Sequence, residues 1–143
     1  MEKEKVYIDA AGHVAGRLAS KAAKEALKGK SVCIVNAEKA IISGNPKFLI
    51  KFYGEKVSRG NPYHGPFYPR MPDRMLRRII RGMLPYKKSR GKEAYRRVMV
   101  YNSVPENLSG ANFASPGEQG KSSRTKFITL GELSKNLGAR KTW

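Results

Sequence analysis

One cysteine, two histidines and eleven acidic residues leave this 143-residue chain poorly supplied with the groups on which disulfides, metal centres and acid–base chemistry depend. A lone cysteine closes no intramolecular disulfide and fits a reducing compartment. It lies in the apolar run Ser31-Val32-Cys33-Ile34-Val35-Asn36, so a packed thiol is expected rather than a nucleophile. His13, His64 and Cys33 show no zinc spacing. Asp9 and Glu38 stand apart, at a strand end and in a turn, where a cap or a local cation accounts for them. No Gly-x-Ser-x-Gly elbow marks a nucleophile. Catalysis has no residue-level support, and neither a metal, a cofactor nor a small-molecule substrate is expected. No apolar run approaches membrane length, and the opening Met-Glu-Lys-Glu-Lys lacks the layout of a signal peptide. The expectation is a soluble cytoplasmic protein with no membrane partner. Its length suits a single domain spanning 1–143, which buries roughly two thirds of its unfolded surface.

What the chain has in excess is positive charge: 29 Lys and Arg, for a net charge of +18. Residues 70–97 hold eleven of these basic residues against only Asp73 and Glu93. Such concentration favours a polyanionic partner over mere solubility. Its centre is Met71 to Pro85, Met-Pro-Asp-Arg-Met-Leu-Arg-Arg-Ile-Ile-Arg-Gly-Met-Leu-Pro. At helical spacing Met75, Leu76, Ile79, Ile80, Met83 and Leu84 form an apolar stripe, with Arg74, Arg77, Arg78 and Arg81 opposite. Pro72 and Asp73 suit a first turn, and Pro85 ends the helix. An ordinary solvated helix mixes Glu with Lys at i, i+4 spacing. This one presents four guanidinium groups, and the expectation is an anion-binding helix held on a folded body. Reversal of Arg77 and Arg81 to Glu is expected to spare the fold.

Along the chain, Lys5–Asp9 suits a strand, and a helix to about Lys28 follows with an alanine-rich face. Ser31 to Asn36 suits a strand buried on both faces, which together make a right-handed βαβ unit. A short extended piece and turn lead to a helix from Asn45-Pro46 to about Val57, with Phe48, Leu49, Phe52 and Tyr53 inward. Residues 58–71 form a proline-broken arm in which Tyr63, Phe67 and Tyr68 alternate with Arg59, His64 and Arg70. The composition leaves two options open: stacking on bases, or wrapping the arm's own domain. Ser89 is expected to cap a short helix to about Arg97, and Val98–Tyr101 to form a strand. An irregular connection at 104–126 precedes a C-terminal helix at 130–137, with a capping box at Thr129–Glu132 and an Ile128–Leu133 staple.

The Gly12-His13-Val14-Ala15-Gly16 junction invites a nucleotide-binding reading, and so a small α/β enzyme, because a helix N-terminus attracts anions. It matches neither glycine fingerprint. A backbone–phosphate contact or tight helix packing explains it as well. Zinc-finger and basic-zipper patterns are not visible. The arginine helix lacks base-reading Asn or Gln, which favours the shape of structured RNA over a DNA operator or general nucleic-acid packaging.

These segments resemble the universal large-subunit ribosomal protein thirteen family in its archaeal form. The resemblance covers nearly the whole chain and is most specific at Arg81–Ser103, around Gly82-Met83-Leu84-Pro85, Gly91 and Val98–Tyr101. Ile8–Ser20, Val35–Asn45 and Gly65–Arg74 are similar to further family hallmarks. The resemblance implies a three-layer α/β/α fold around a four-stranded, mainly parallel sheet, and no catalytic activity. It also implies binding to large-subunit rRNA, with neighbouring ribosomal proteins as partners. Carried over by position, the RNA-facing residues are expected to include Gly12, His13 and Arg17. In the second half they are Arg59, Phe67, Arg70, Arg74, Arg77, Arg78, Arg81, Lys87, Lys88, Arg90 and Lys92. The family supports these segments; the side chains within them are chosen on charge and stacking capacity.

Overall fold

The computed structural model describes residues 3–114 and 126–143. Its strands are β1 (Lys5–Asp9), β2 (Ser31–Val35), β3 (Ile41–Ser43), β4 (Val98–Val100) and β5 (Phe127–Thr129). Its helices are α1 (Ala15–Leu27), α2 (Pro46–Ser58), α3 (Pro72–Gly82), α4 (Ser89–Arg96) and α5 (Leu130–Asn136). β1 and β4 flank β2, both parallel to it, with Ile8, Ile34 and Val100 in one register row. β3 and β5 form a separate antiparallel pair. Among the described residues the parallel sheet therefore has three strands, one fewer than expected. Ala114 bridges the free edge of β1 at Ile8. The remainder of the expected 104–126 connection, residues 115–125, lies outside the described residues.

The alanines of α1 place the helices. Ala19, Ala22 and Ala26 are fully buried, and their small side chains let α1 pack closely against α3 and α4 as well as β2. Ile8, Val32, Ile34 and Val98 meet this helical layer in one core. At the sheet's opposite face Tyr7, Cys33 and Met99 form a register row. Here the expectation of a strand buried on both faces fails. Met99 is 45% exposed, Phe113 packs edge-on against Tyr7 at 6.0 Å, and a cavity of about 330 Å³ opens beside Cys33. A five-residue apolar run has too little period to reveal a face covered by irregular chain rather than by helices. Burial pushes the half-buried Cys33 thiol up from its ordinary pKa. Iodoacetamide at pH 8 should therefore modify Cys33 several-fold more slowly than a cysteine peptide, and urea should abolish the difference.

Two further expectations shift. On α2 the core side is Leu49, with Ile50, Tyr53 and Val57 partly buried, whereas Phe48 and Phe52 are 62% and 40% exposed. Those two rings stack on each other at 5.9 Å, and Lys56 lies over Phe52. Asn45 caps this helix, its Oδ1 accepting from the Lys47 amide. Ser89 sits inside the first turn of α4, and Lys88 is the N-cap. Thr129 caps α5 by accepting from the Glu132 amide, and both staple residues are buried. No helix among the described residues is long and apolar enough to cross a membrane.

Candidate nucleic-acid interface

Pro72 opens α3, and Asp73 folds back to accept from the Arg74 amide at 2.8 Å. Met75, Leu76 and Ile80 are fully buried, so the helix is bedded in the core along one line. Ile79 is only partly buried and Met83 is 44% exposed, which makes the docking stripe narrower than the spacing predicts.

The four arginines do not share one environment. Arg77 turns inward: its Nε donates to the Val98 carbonyl at 3.1 Å and an Nη to the Tyr95 carbonyl at 3.3 Å. Its guanidinium also stacks 4.2 Å above the Tyr95 ring. This residue ties α3 to α4 and β4, so reversing its charge would damage the fold, contrary to the expectation from sequence. Arg74 is exposed. Arg78 lies 5.8 Å from the Tyr68 ring, and Arg81 is 4.9 Å from that of Tyr86. Stacked guanidinium groups retain outward N–H donors for phosphate.

Beyond α3 the chain turns at Pro85 and enters α4. Gly91 is buried there because the Pro85 carbonyl occupies the place of a side chain. The close approach leaves Lys87, Lys88, Arg90 and Lys92 exposed on the turn and first helical residues. Arg97, by contrast, points inward, donating to the Ala26 carbonyl at the end of α1.

The arm resolves into two parts. Asn61 organises a turn, its Oδ1 accepting from the Tyr63 and His64 amides at 3.1 and 2.7 Å while its carbonyl accepts from Gly65. Tyr63 and Phe67 stand 89% and 68% exposed on this turn. Tyr68 instead wraps the domain, packed near Tyr53 and Lys56. Its pKa is pushed up to about 12, first by burial and then by Tyr53, against the opposing pull of Arg78. The phenol thus resists ionisation further into alkali than an ordinary tyrosine. Arg59 and Arg70 are exposed on either side of the turn.

The Gly12 junction is different in kind. The Gly12 amide donates to the Lys39 carbonyl and the His13 amide to Ala10, while the His13 carbonyl accepts from Ile41. His13 itself is 4% exposed, so its ring lies within the fold rather than on an RNA-facing surface. Arg17 is exposed on α1. The neighbouring carboxylates have structural tasks. Asp9 accepts from the Ala11 amide and from Asn36, and Glu38 accepts from the amide and hydroxyl of Ser103. Open α/β sheets bind their ligands at the carboxyl ends of the strands. Here those ends are bridged by the chain's own side chains.

Sequence reasoning missed Tyr86 and Tyr95 as platforms for arginine, and Arg97 as an interior clamp. The Arg77–Tyr95 and Arg97–Ala26 pairings have no local spacing signal because they join elements brought together only by the fold, whereas Arg81 and Tyr86 meet across the Pro85 turn.

Residues 3–107 match the family model described as ribosomal protein L13. The chain belongs to that family. Similarity extends well beyond the matched span. The large ribosomal subunit protein uL13 of Methanocaldococcus jannaschii is 50% identical over 137 residues, covering 93% of this chain and 97% of the relative. The uL13 of Archaeoglobus fulgidus is 48% identical, covering 93% and 87%. That of Haloarcula marismortui is 44% identical, covering 96% and 94%. The family is one of ribosomal proteins, not enzymes, in keeping with bridged strand ends and an outer surface dominated by cations.

Proposed function

We propose that the chain is a structural constituent of the large ribosomal subunit in the cytoplasm, binding large-subunit rRNA and supporting subunit assembly and translation. The observation that carries this reading is the run of exposed Arg74, Lys87, Lys88, Arg90 and Lys92, with half-buried Arg78 and Arg81 between them, across α3, the Pro85 turn and α4. Within that stretch Asp73 is engaged with its own helix, and Glu93 lies 3.8 Å from Arg97. Arg17, Arg59, Phe67 and Arg70 extend the contact surface, whereas Gly12, His13 and Arg77 support it from behind. Neighbouring large-subunit proteins complete the set of partners. The three-layer sheet implied by the family has a fourth strand, and the edge of β1 open to one is bridged by Ala114. Its amide donates to Tyr7 and its carbonyl accepts from Asp9, on the free edge of β1.

Backbone recognition by counterion release makes a quantitative demand. With about six phosphate contacts, affinity for large-subunit rRNA should fall roughly a thousandfold between about 50 and 200 mM salt. Filter binding across that range tests it, and a nearly flat salt dependence would overturn the reading. Equal affinity for duplex DNA would favour a packaging protein instead.

A further inference from the structure

Between the arm and the start of α3 lies a cavity of about 510 Å³, walled by Arg59, Pro66, Phe67, Arg70, Met71 and Arg74 among others. We propose that this cavity receives a single unpaired nucleotide of the rRNA, its base stacked on Phe67 and its phosphate held by Arg59, Arg70 and Arg74. The inference rests on the rRNA-binding reading and adds a site that duplex contacts alone do not require.

The case is one of shape and chemistry together. A volume of this size falls within the range of small-ligand pockets, whereas a duplex backbone needs a ridge or a shallow face. Among the described residues no carboxylate lines the cavity. Three arginines share the lining with apolar Val57, Pro66 and Met71. A nucleotide has that same division, a flat apolar base joined to a compact anion.

Phe67 is set for stacking. A Cβ added at Gly65 would stand 3.0 Å from two carbons of the Phe67 ring, so the ring rests against the glycine backbone. At 68% exposure it still offers much of its surface outward. The turn beneath it is held in shape before any ligand arrives. The Asn61 side chain accepts from two amides, and Gly60 lies so close to Gly65 and Pro66 that a Cβ there would collide with their backbone. Pre-formation lowers the ordering cost of binding.

The test uses the full chain, large-subunit rRNA from an archaeon, and a blunt-ended RNA duplex of about one helical turn. Phe67→Leu removes the aromatic face while keeping an apolar side chain. Wild type should bind the rRNA about tenfold more tightly than the variant, in the range of one stacked base, with the same salt slope. The loss should be larger on the rRNA than on the duplex, which offers no unpaired base. Ultraviolet cross-linking to the rRNA should leave a nucleotide adduct on the peptide containing Phe67. Equal rRNA affinity for the two proteins, or adducts confined to α3 and α4, would overturn the nucleotide site and leave the backbone reading standing. Failure of the wild type to bind rRNA at all would overturn both.

Discussion

Reversing Arg78 and Arg81 together to glutamate should lower affinity for large-subunit rRNA by about a thousandfold at about 0.1 M salt while leaving the fold in place. Charged hydrogen bonds contribute about 1.5–3 kcal/mol each, so two lost contacts amount to ~4 kcal/mol, or about three powers of ten. The slope of log affinity against log salt should also shrink by about two. What these side chains give the fold is small. Each lies over a tyrosine, Tyr68 at 5.8 Å and Tyr86 at 4.9 Å, a contact worth about 0.5–1 kcal/mol where solvent reaches it. Arg77→Glu supplies the contrast. That change strips donors from the Val98 and Tyr95 carbonyls and sets a carboxylate against the Tyr95 ring. It should lower stability by about 2–3 kcal/mol, the cost of unsatisfied buried groups. Filter binding and thermal unfolding on the same preparations separate the two cases. Undiminished rRNA binding by the Arg78/Arg81 variant would reduce this face to an ordinary solvated surface.

Gly91→Ala should harm the fold out of proportion to its size. The added methyl would collide with the Pro85 carbonyl and come within 2.9 Å of the Tyr86 amide nitrogen. Both neighbours are backbone, so relief requires α4 to move away from the turn. Overpacking of this kind costs about 1–3 kcal/mol, and here no flexible side chain absorbs it. Alanine's better helix propensity returns about 1 kcal/mol at most. A net loss of about 1 kcal/mol should lower the melting temperature by roughly 3 °C. Lys87 and Lys88 sit on the displaced turn, so rRNA affinity should fall as well. Gly16→Ala is the matched control: a Cβ there meets nothing within 4 Å, and the variant should be at least as stable as wild type. If Gly91→Ala melts with wild type, the close approach of α4 to the Pro85 turn is not a constraint.

The comparison of these two sites also shows what a sequence reveals and what it withholds. The alternation of Met75, Leu76, Ile79 and Ile80 with arginine located α3 and its buried side, because helical period is a local property. The alanine face of α1 and the βαβ order were legible for the same reason. Periodicity assigns a long side chain to a sector, however, not to a destination. Arg77 lies at the margin of the apolar stripe, and its flexible stem reaches inward to carbonyls supplied by α4 and β4. The Phe48–Phe52 pair misled in the opposite direction. Large aromatic residues are usually interior, yet Leu49 and Tyr53 already fill that side of α2. His13 was placed outward by its family motif, whereas its burial depends on the close approach of β3 to the Gly12 junction, seen in the Ile41–His13 bond.

The crowding of cations on α3 and α4 has a consequence for the life of the protein before assembly. Arg74, Arg78 and Arg81 share one side of a short helix, and Lys87, Lys88, Arg90 and Lys92 follow within eleven residues of it. In the unassembled chain these like charges repel one another, opposing the same compact state that α3 anchors through Met75, Leu76 and Ile80. A bound polyanion removes that repulsion and stabilises the native state by mass action. The free copy is thus the more fragile one, and surplus protein made without rRNA to receive it is the population most readily unfolded and degraded.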